Sequence, residues 1–372
     1  VTDAGPPLRI AHVVTYVSDS GSYGGPVTVA ANQTRELAAR GHAVELIAAW
    51  DGVASLDLPG VRTSLFPPLN PGARFSNLLV PALLRHVRHH AGTFDVMHVH
   101  LARDLITAPA ARIALGRTRV VLQPHGMVKP DARPASRMFD ALLIRPVLTG
   151  SAVALALTDR EEAGLRAVNG REAIRIERIA NGIAAVPRRE RDQSGRPVIL
   201  FLARLHPRKR VLAFAEAART LVAAGKGYRF VVAGPDEGDG ARLAAFIAEN
   251  RLEDHLTYTG AMSPSDTMHA LSDASVYVLP SFGEVFPMSV LEAIAVGTPT
   301  VMTADSGIAK ALSRYGAAAI TDGSPAELAR AIAGLVEDAE SRAAVLRGAD
   351  EALTREFGMT AVVDSLERAY RP

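Results

Sequence analysis

Two acidic residues eight places apart, Glu284 and Glu292, stand in the stretch PSFGEVFPMSVLEAIAVGTPT at 280–300. The apolar run before them, Val276 to Leu279, reads as a strand. A Pro/Ser/Gly turn then carries Glu284, and a run from about Pro287 has apolar residues at helical spacing. Proline suits the first turn of a helix, because its dihedral is preset and the N–H it lacks would be unpaired there. The remaining free N–H groups and the positive end of the helix dipole form an anion site. Carboxylates beside such a site can accept hydroxyl hydrogen bonds from whatever carries the anion. The combination describes a place for a molecule with both phosphates and hydroxyls, such as a nucleotide sugar. Taken alone, the segment reads equally well as a solvated loop glutamate followed by a helix-surface glutamate.

A second group adds the opposite charge. In ARLHPRKR at 203–210, Arg204, Arg208, Lys209 and Arg210 follow the strand Val198 to Leu202. The expected loop lies at the same carboxyl edge of a sheet as Glu284, so its cations can pair with phosphates held there. Gly234, in VVAGPDEGDG, marks another strand-end loop on that rim. The acidic residues after it, Asp236, Glu237 and Asp239, lack the ligand spacing and terminal Glu of a calcium loop.

Earlier in the chain, Gly24 and Gly25 follow the first apolar strand and allow close backbone approach to a ligand, although their spacing is not GxGxxG. His125, in PHG, sits just after a strand, where a ligand-facing loop residue belongs. His98 and His100 share one strand face. No carboxylate or third histidine follows them at metal-ligand spacing, so they read as buried or strand-end histidines.

The elements that must position these residues alternate strand and helix throughout. Strands are expected at 8–16, 43–49, 61–66, 95–100, 119–123, 152–157 and 174–179, with helices between them. A polar, Pro- and Gly-bearing interval, PRRERDQSGRP at 187–197, reads as a linker. The alternation then restarts with strands at 198–202, 228–233, 256–259 and 276–279. This layout predicts an α/β protein with two Rossmann-like, doubly wound parallel-sheet domains and a cleft between them.

With 372 residues, two domains are the prior. The absence of cysteine excludes disulfides, thiolate zinc sites and a cysteine nucleophile. A net charge of +2 gives no global field for nucleic acid. No run reaches the roughly 18 apolar residues of a membrane span, and no signal pattern opens the sequence, so the expected location is cytoplasmic. The stretch SNLLVPALLRHVRHHAG at 76–92 puts Leu79, Leu83 and Val87 on one side and clusters Arg85, His86, Arg88, His89 and His90 at its end. It reads as an amphipathic surface for peripheral contact with anionic lipid, or as a solvated helix over a core that Pro81 interrupts.

Over nearly its whole length the chain resembles the retaining glycosyltransferases of family 4, which have the GT-B fold. The likeness rests on a combination: Gly24-Gly25-Pro26, DVMHVH at 95–100, PHG at 124–126, ANGI at 180–183, FLARLHPRKR at 201–210, AGPDEG at 233–238, YVLPS at 277–281, and the E-x7-E pair Glu284 and Glu292 followed by GTPTV. The resemblance implies that Arg204 and Lys209 neutralise a donor pyrophosphate, that Glu284 holds hydroxyls of the transferred sugar and that Glu292 binds the ribose. His125 would lie beside the donor sugar, with Gly24 and Gly25 approaching the phosphate and acceptor. Gly234, Met262, Phe286, Pro287, Met288 and Ser289 would complete the donor contacts. No metal or cofactor is implied beyond the nucleotide-sugar co-substrate, because fixed cations stabilise the leaving group. Implied domains are 1–186 on the acceptor side, a linker at 187–197, a donor domain at 198–355, and a helix at 356–372 that crosses back. One departure is Pro287, where the family usually has glycine, which removes an N–H donor and constrains the turn.

The function so implied is transfer of a hexosyl group from a UDP- or GDP-sugar to a hydroxyl of a glycan, glycolipid or small molecule. A nucleotide-sugar 2-epimerase-like isomerase and a non-catalytic nucleotide-binding module remain as alternatives. Acceptor contacts are expected around 18–23 and 127–137, whose residues specify no chemistry.

Overall fold

The computed structural model describes residues 5–18, 24–54, 56–73, 75–170, 173–188 and 195–371. Residues 19–23, most of one expected acceptor segment, lie outside the described residues. The chain divides into two compact units, the first formed by 1–182 together with 359–372 and the second by 183–358.

In the first unit, strands β1 (Arg9–Val17), β2 (Ala43–Trp50), β3 (Val61–Phe66), β4 (Val96–Val99), β5 (Arg119–Leu122), β6 (Val153–Ala156) and β7 (Ile176–Arg178) form a parallel sheet in the order β3-β2-β1-β4-β5-β6-β7. In the second, β8 (Val198–Leu202), β9 (Arg229–Ala233), β10 (Leu256–Tyr258), β11 (Val276–Leu279), β12 (Thr300–Thr303) and β13 (Ala319–Thr321) form another, in the order β10-β9-β8-β11-β12-β13. Helices cover both faces, which is why β4, β6, β11 and β12 are buried along their whole length, with His98 of β4 and the two threonines of β12 buried among the apolar residues. Strand order reverses between β1 and β4 in one sheet and between β8 and β11 in the other. In open α/β sheets, ligands bind outside the carboxyl ends of strands at such reversals.

Each unit has its own apolar core. Val13, Ile47, Met97, Val99, Leu122 and Leu165 centre the first, and Phe201, Phe214, Phe230, Val232, Val278 and Ile332 the second. The last helix, Met359–Tyr370, packs in the first unit. Arg40 Nη1 lies 2.6 Å from Asp364 and 3.2 Å from Glu367, and His42 Nε2 lies 2.9 Å from Glu367.

Two expectations need correction. Pro81 does not interrupt a helix; it opens one, Pro81–His90, where its missing N–H leaves no intrahelical bond unmade. Leu83 and Val87 of that helix are buried in the core, so the outward side shows Arg85, Arg88, His89 and His90 rather than an apolar stripe. The first domain ends at 182 rather than 186, and residues 183–188 join the second unit. The reason is local bonding: Ile183 N donates to the Phe357 carbonyl at 2.9 Å, and Arg188 bonds the carbonyls of Ile294 and Ala295 and pairs with Asp350. No described helix is long and apolar enough to cross a membrane.

Candidate functional site

The carboxyl edge around β8 and β11 gathers most of the charged residues singled out in the sequence. After β8 the chain makes a short 3-10 turn, Pro207–Lys209, and Arg210 takes a left-handed conformation (φ 58°) before the helix Val211–Ala223 begins. That turn aims Lys209 at the loop after β11, where Nζ lies 2.6 Å from Glu284 Oε1, with both side chains largely buried at 18% and 13% exposure.

The Glu284 loop is held from several sides. Phe282 N donates to the Arg208 carbonyl at 3.0 Å, Arg208 Nη2 donates to the Gly283 carbonyl at 3.0 Å, and Gly283 N donates to Asp305 Oδ2 at 2.5 Å. Gly307 N donates to the Glu284 carbonyl at 2.8 Å. Arg210 lies 4.1 Å over the Phe282 ring and donates to the Gly323 carbonyl at 2.7 Å, which ties the loops after β8, β11 and β13 together. Asp305, which holds the loop, was not singled out in the sequence, whereas Arg210, grouped there with the phosphate cations, bonds a loop carbonyl instead. The run TVMT before Asp305 was not read as a strand, so nothing in the sequence marked Asp305 as a strand-end residue.

Helix Met288–Ala295 follows with Pro287, buried, at its N-cap, one place earlier than a first-turn position. No side chain caps this helix, so its first N–H groups are not satisfied by a cap. Ser289 Oγ lies 2.7 Å from the hydroxyl of Tyr277, whose ionisation is driven up first by burial and then by the nearby charges of Glu292 and Glu284. The Glu292 carboxylate has no hydrogen-bond partner among the described residues, and burial raises its pKa. Phe286 is half-buried, its ring centroid 6.1 Å from that of Phe357, and Met288 is half-buried beside it in the chain.

Other candidates are placed differently. Arg204 is exposed at 62% and pairs with Glu237 at 2.7 Å, so the two expected phosphate cations have different carboxylate partners. Gly234 has a reason internal to the fold: with φ at +135°, a Cβ there would stand 2.0 Å from the Ala203 carbonyl, so glycine lets the loop after β9 press against the segment that launches Arg204. Asp236 accepts from Gly238 N and Gly240 N, and Asp239 pairs with Arg242, so these acidic groups serve their own loop. Met262 lies half-buried between β10 and the helix Pro264–Asp273.

In the first unit, Gly24 and Gly25 begin the helix Gly24–Ala39, which follows β1. A Cβ on Gly25 would meet no atom within 4 Å, so packing does not demand glycine there. His125 follows β5 in a left-handed conformation (φ 53°), a strained choice for a residue with a Cβ. Glu161 fixes that turn. Its two carboxylate oxygens accept from Gly126 N at 2.5 Å and from Leu157 N at 2.7 Å, while burial raises its pKa.

Behind His125 lies a residue that sequence reasoning passed over. His12, on β1, joins His98 and His100 so that one nitrogen from each lies within 4.8 Å of the others, close enough for the three to hold a metal ion. All three rings are fully buried. Burial lowers His12 to about 3 and His125 to about 4, and holds His98 and His100 well below the ordinary imidazole range.

The halves of the chain match two family models, "Glycosyltransferase Family 4" over residues 23–185 and "Glycosyl transferases group 1" over 184–351. Among curated relatives, 2-deoxystreptamine glucosyltransferase of Streptomyces kanamyceticus is 32% identical, over 45% of this chain and 43% of that one, less than half the relative's length. D-inositol 3-phosphate glycosyltransferase of Acidothermus cellulolyticus is 27% identical over 92% of this chain and 86% of the relative. Among solved structures, Anabaena HepE in complex with UDP superposes with a TM-score of 0.73 at 18% identity, covering 97% and 99% of the two chains, a likeness of fold. With two parallel Rossmann-like sheets and both halves matched, the chain is a glycosyltransferase of the group 1 and family 4 type with the GT-B fold.

Proposed function

We propose that the chain moves a hexosyl group from a nucleoside diphosphate sugar to a hydroxyl acceptor, with retention at the anomeric carbon and without a metal. The observation that carries this is the Lys209–Glu284 pair at the β8/β11 reversal, beside an uncapped helix end. The relatives transfer sugars by name, and HepE, which shares the fold, holds UDP.

An ammonium has three donors, so Lys209 can keep Glu284 and also hold a phosphate oxygen. Glu284 retains acceptor capacity for sugar hydroxyls. Arg204 is exposed on a side chain long enough to leave Glu237 for a stronger anion. In the step proposed, the acceptor oxygen bonds to the anomeric carbon on the face from which the diphosphate departs. The carbon–oxygen bond to the β-phosphate breaks, and the acceptor proton passes to that phosphate oxygen. Lys209 and Arg204 stabilise the charge that builds on the leaving diphosphate, a term on the order of 10²–10³ in rate for one such donor. These fixed cations are the reason to assign the reaction no metal.

The test is incubation with UDP-, GDP- and dTDP-sugars, with and without a chelator, scoring nucleoside diphosphate release and the anomeric configuration of the product. Release unaffected by chelator, with configuration kept, is expected. An inverted product, strict dependence on an added metal, or a new nucleotide sugar formed without any acceptor would overturn the corresponding part.

A further inference from the structure

Three buried histidines of the first unit, Tyr370 and the half-buried His125 form a continuous hydrogen-bonded chain. His98 Nδ1 lies 2.7 Å from the Tyr370 hydroxyl, which lies 3.1 Å from His12 Nε2. His12 Nδ1 lies 3.1 Å from His100 Nε2, and His100 Nδ1 lies 2.7 Å from His125 Nε2. The His100 and His125 rings are within 5° of parallel with centroids 5.0 Å apart. Two nitrogens at 2.7 Å are closer than stacked faces allow, so these rings meet edge to edge with the bond in the ring plane.

Counting protons gives the chain a direction. Four neutral imidazoles and one phenol bring five protons to these four contacts, so each contact takes one and the fifth must sit at an end. One end is His98 Nε2, buried with no hydrogen-bond partner among the described residues. The nearby Gln123 carboxamide bonds elsewhere, its oxygen accepting from Gln33 at 3.1 Å and its nitrogen donating to Asn181 at 3.3 Å, and it makes no hydrogen bond to His98 Nε2. The other end is His125 Nδ1, on a ring that is only half-buried and does not count among the buried groups without a partner. A buried N–H without an acceptor is disfavoured more than a bare lone pair. The fifth proton therefore belongs on His125.

We propose that Tyr370, His12 and His100 are positioning residues that lock His125 as the tautomer protonated on Nδ1 and accepting on Nε2. His125 can then donate a hydrogen bond from Nδ1 to a hydroxyl or carbonyl oxygen of a ligand, and it cannot act there as a base. This consequence rests on reading the carboxyl edge of the first unit as ligand-facing. It also gives the last helix a chemical role, since Tyr370 supplies the hydroxyl that orders the chain.

Long-range proton–nitrogen NMR of the ¹⁵N-labelled full chain reads each ring nitrogen directly, with His125 identified by the signals lost in His125→Gln. The expected spectrum has a protonated-type Nδ1 and an unprotonated-type Nε2 on His125. Tyr370→Phe should shift both toward mixed values, because His12 Nε2 becomes free to carry a proton and the chain can run either way. A proton on Nε2 in the native protein, an imidazolium at neutral pH, stoichiometric zinc held by these rings, or a folded Tyr370→Phe with an unchanged His125 spectrum would each overturn the proposal. If Tyr370→Phe does not fold, the native spectrum decides alone. The spectrum needs no turnover, so an inactive protein with the expected tautomer would count against the transferase reading only.

Discussion

Lys209 Nζ and Glu284 Oε1 stand 2.6 Å apart although they lie on loops that follow different strands, 75 positions apart in sequence. Because both side chains are mostly screened from water, removing one leaves the other poorly solvated. Lys209→Ala and Glu284→Ala should each lower stability by about 1–3 kcal/mol, with the double variant losing less than the sum. Urea unfolding of the three variants checks this, and strict additivity would mean the pair is not coupled.

Arg204 should behave in the opposite way. Its pair with Glu237 is exposed, and such pairs contribute roughly 0.2–1 kcal/mol. Arg204→Ala should therefore unfold nearly like the parent while losing about 10²-fold or more in turnover, the scale for one donor facing a developing anion. Full turnover in this variant would remove Arg204 from the site.

The alternation of strands and helices was legible as far as β11 because parallel strands covered on both faces are rich in apolar residues, and runs such as VILFL and VYVL announce themselves, whereas TVMT, with a threonine at each end, was not read as a strand. Lys209 and Glu284 were legible for a related reason, as charges just past the ends of such runs. His12 was not, because RIAHVVTYV reads as one more buried strand and its polar partner Tyr370 lies 358 positions away. No local periodicity encodes a contact between the two ends of a chain. Pro81 was misread because proline favours a helix start as strongly as it breaks an interior, and only the tertiary position of Leu83 and Val87 decides between them.

Gly234→Ala tests the packing of the loops after β8 and β9. A methyl group there meets the Ala203 carbonyl at 2.0 Å in a backbone conformation that disfavours any Cβ. Strain of that kind is worth about 1–3 kcal/mol before the clash is added, so the variant should be destabilised by at least that much in denaturant titration. Parent-like stability would show that this loop is not pressed against β8.

Acid should weaken the first unit in a particular window. In the unfolded chain the histidines titrate near 6.5 or so, whereas burial holds His12 at about 3 and His125 at about 4, with His98 and His100 also lowered. Their folded values are depressed, so above the unfolded value they make no difference. As the pH falls below it, the unfolded state gains protons that the folded state refuses. Stability should drop by about 1.4 kcal/mol per pH unit for each such histidine. Trp50, the sole tryptophan, lies in this unit, so its fluorescence followed through denaturant titrations from pH 7.5 to 4.5 reports the effect. His12→Gln should flatten the slope by about one proton, and a flat profile in the parent would contradict the burial of these rings as neutral groups.

The most direct measurement is calorimetric binding of paired ligands, a nucleoside diphosphate and its sugar conjugate in the uridine, guanosine and thymidine series, to the parent, Lys209→Ala and Glu284→Ala. Loss of the Lys209 ammonium should weaken the diphosphate and the conjugate alike, whereas loss of the Glu284 carboxylate should weaken the conjugate alone. Binding of neither ligand by the parent, or a Glu284→Ala variant that still distinguishes the conjugate as the parent does, would contradict the site.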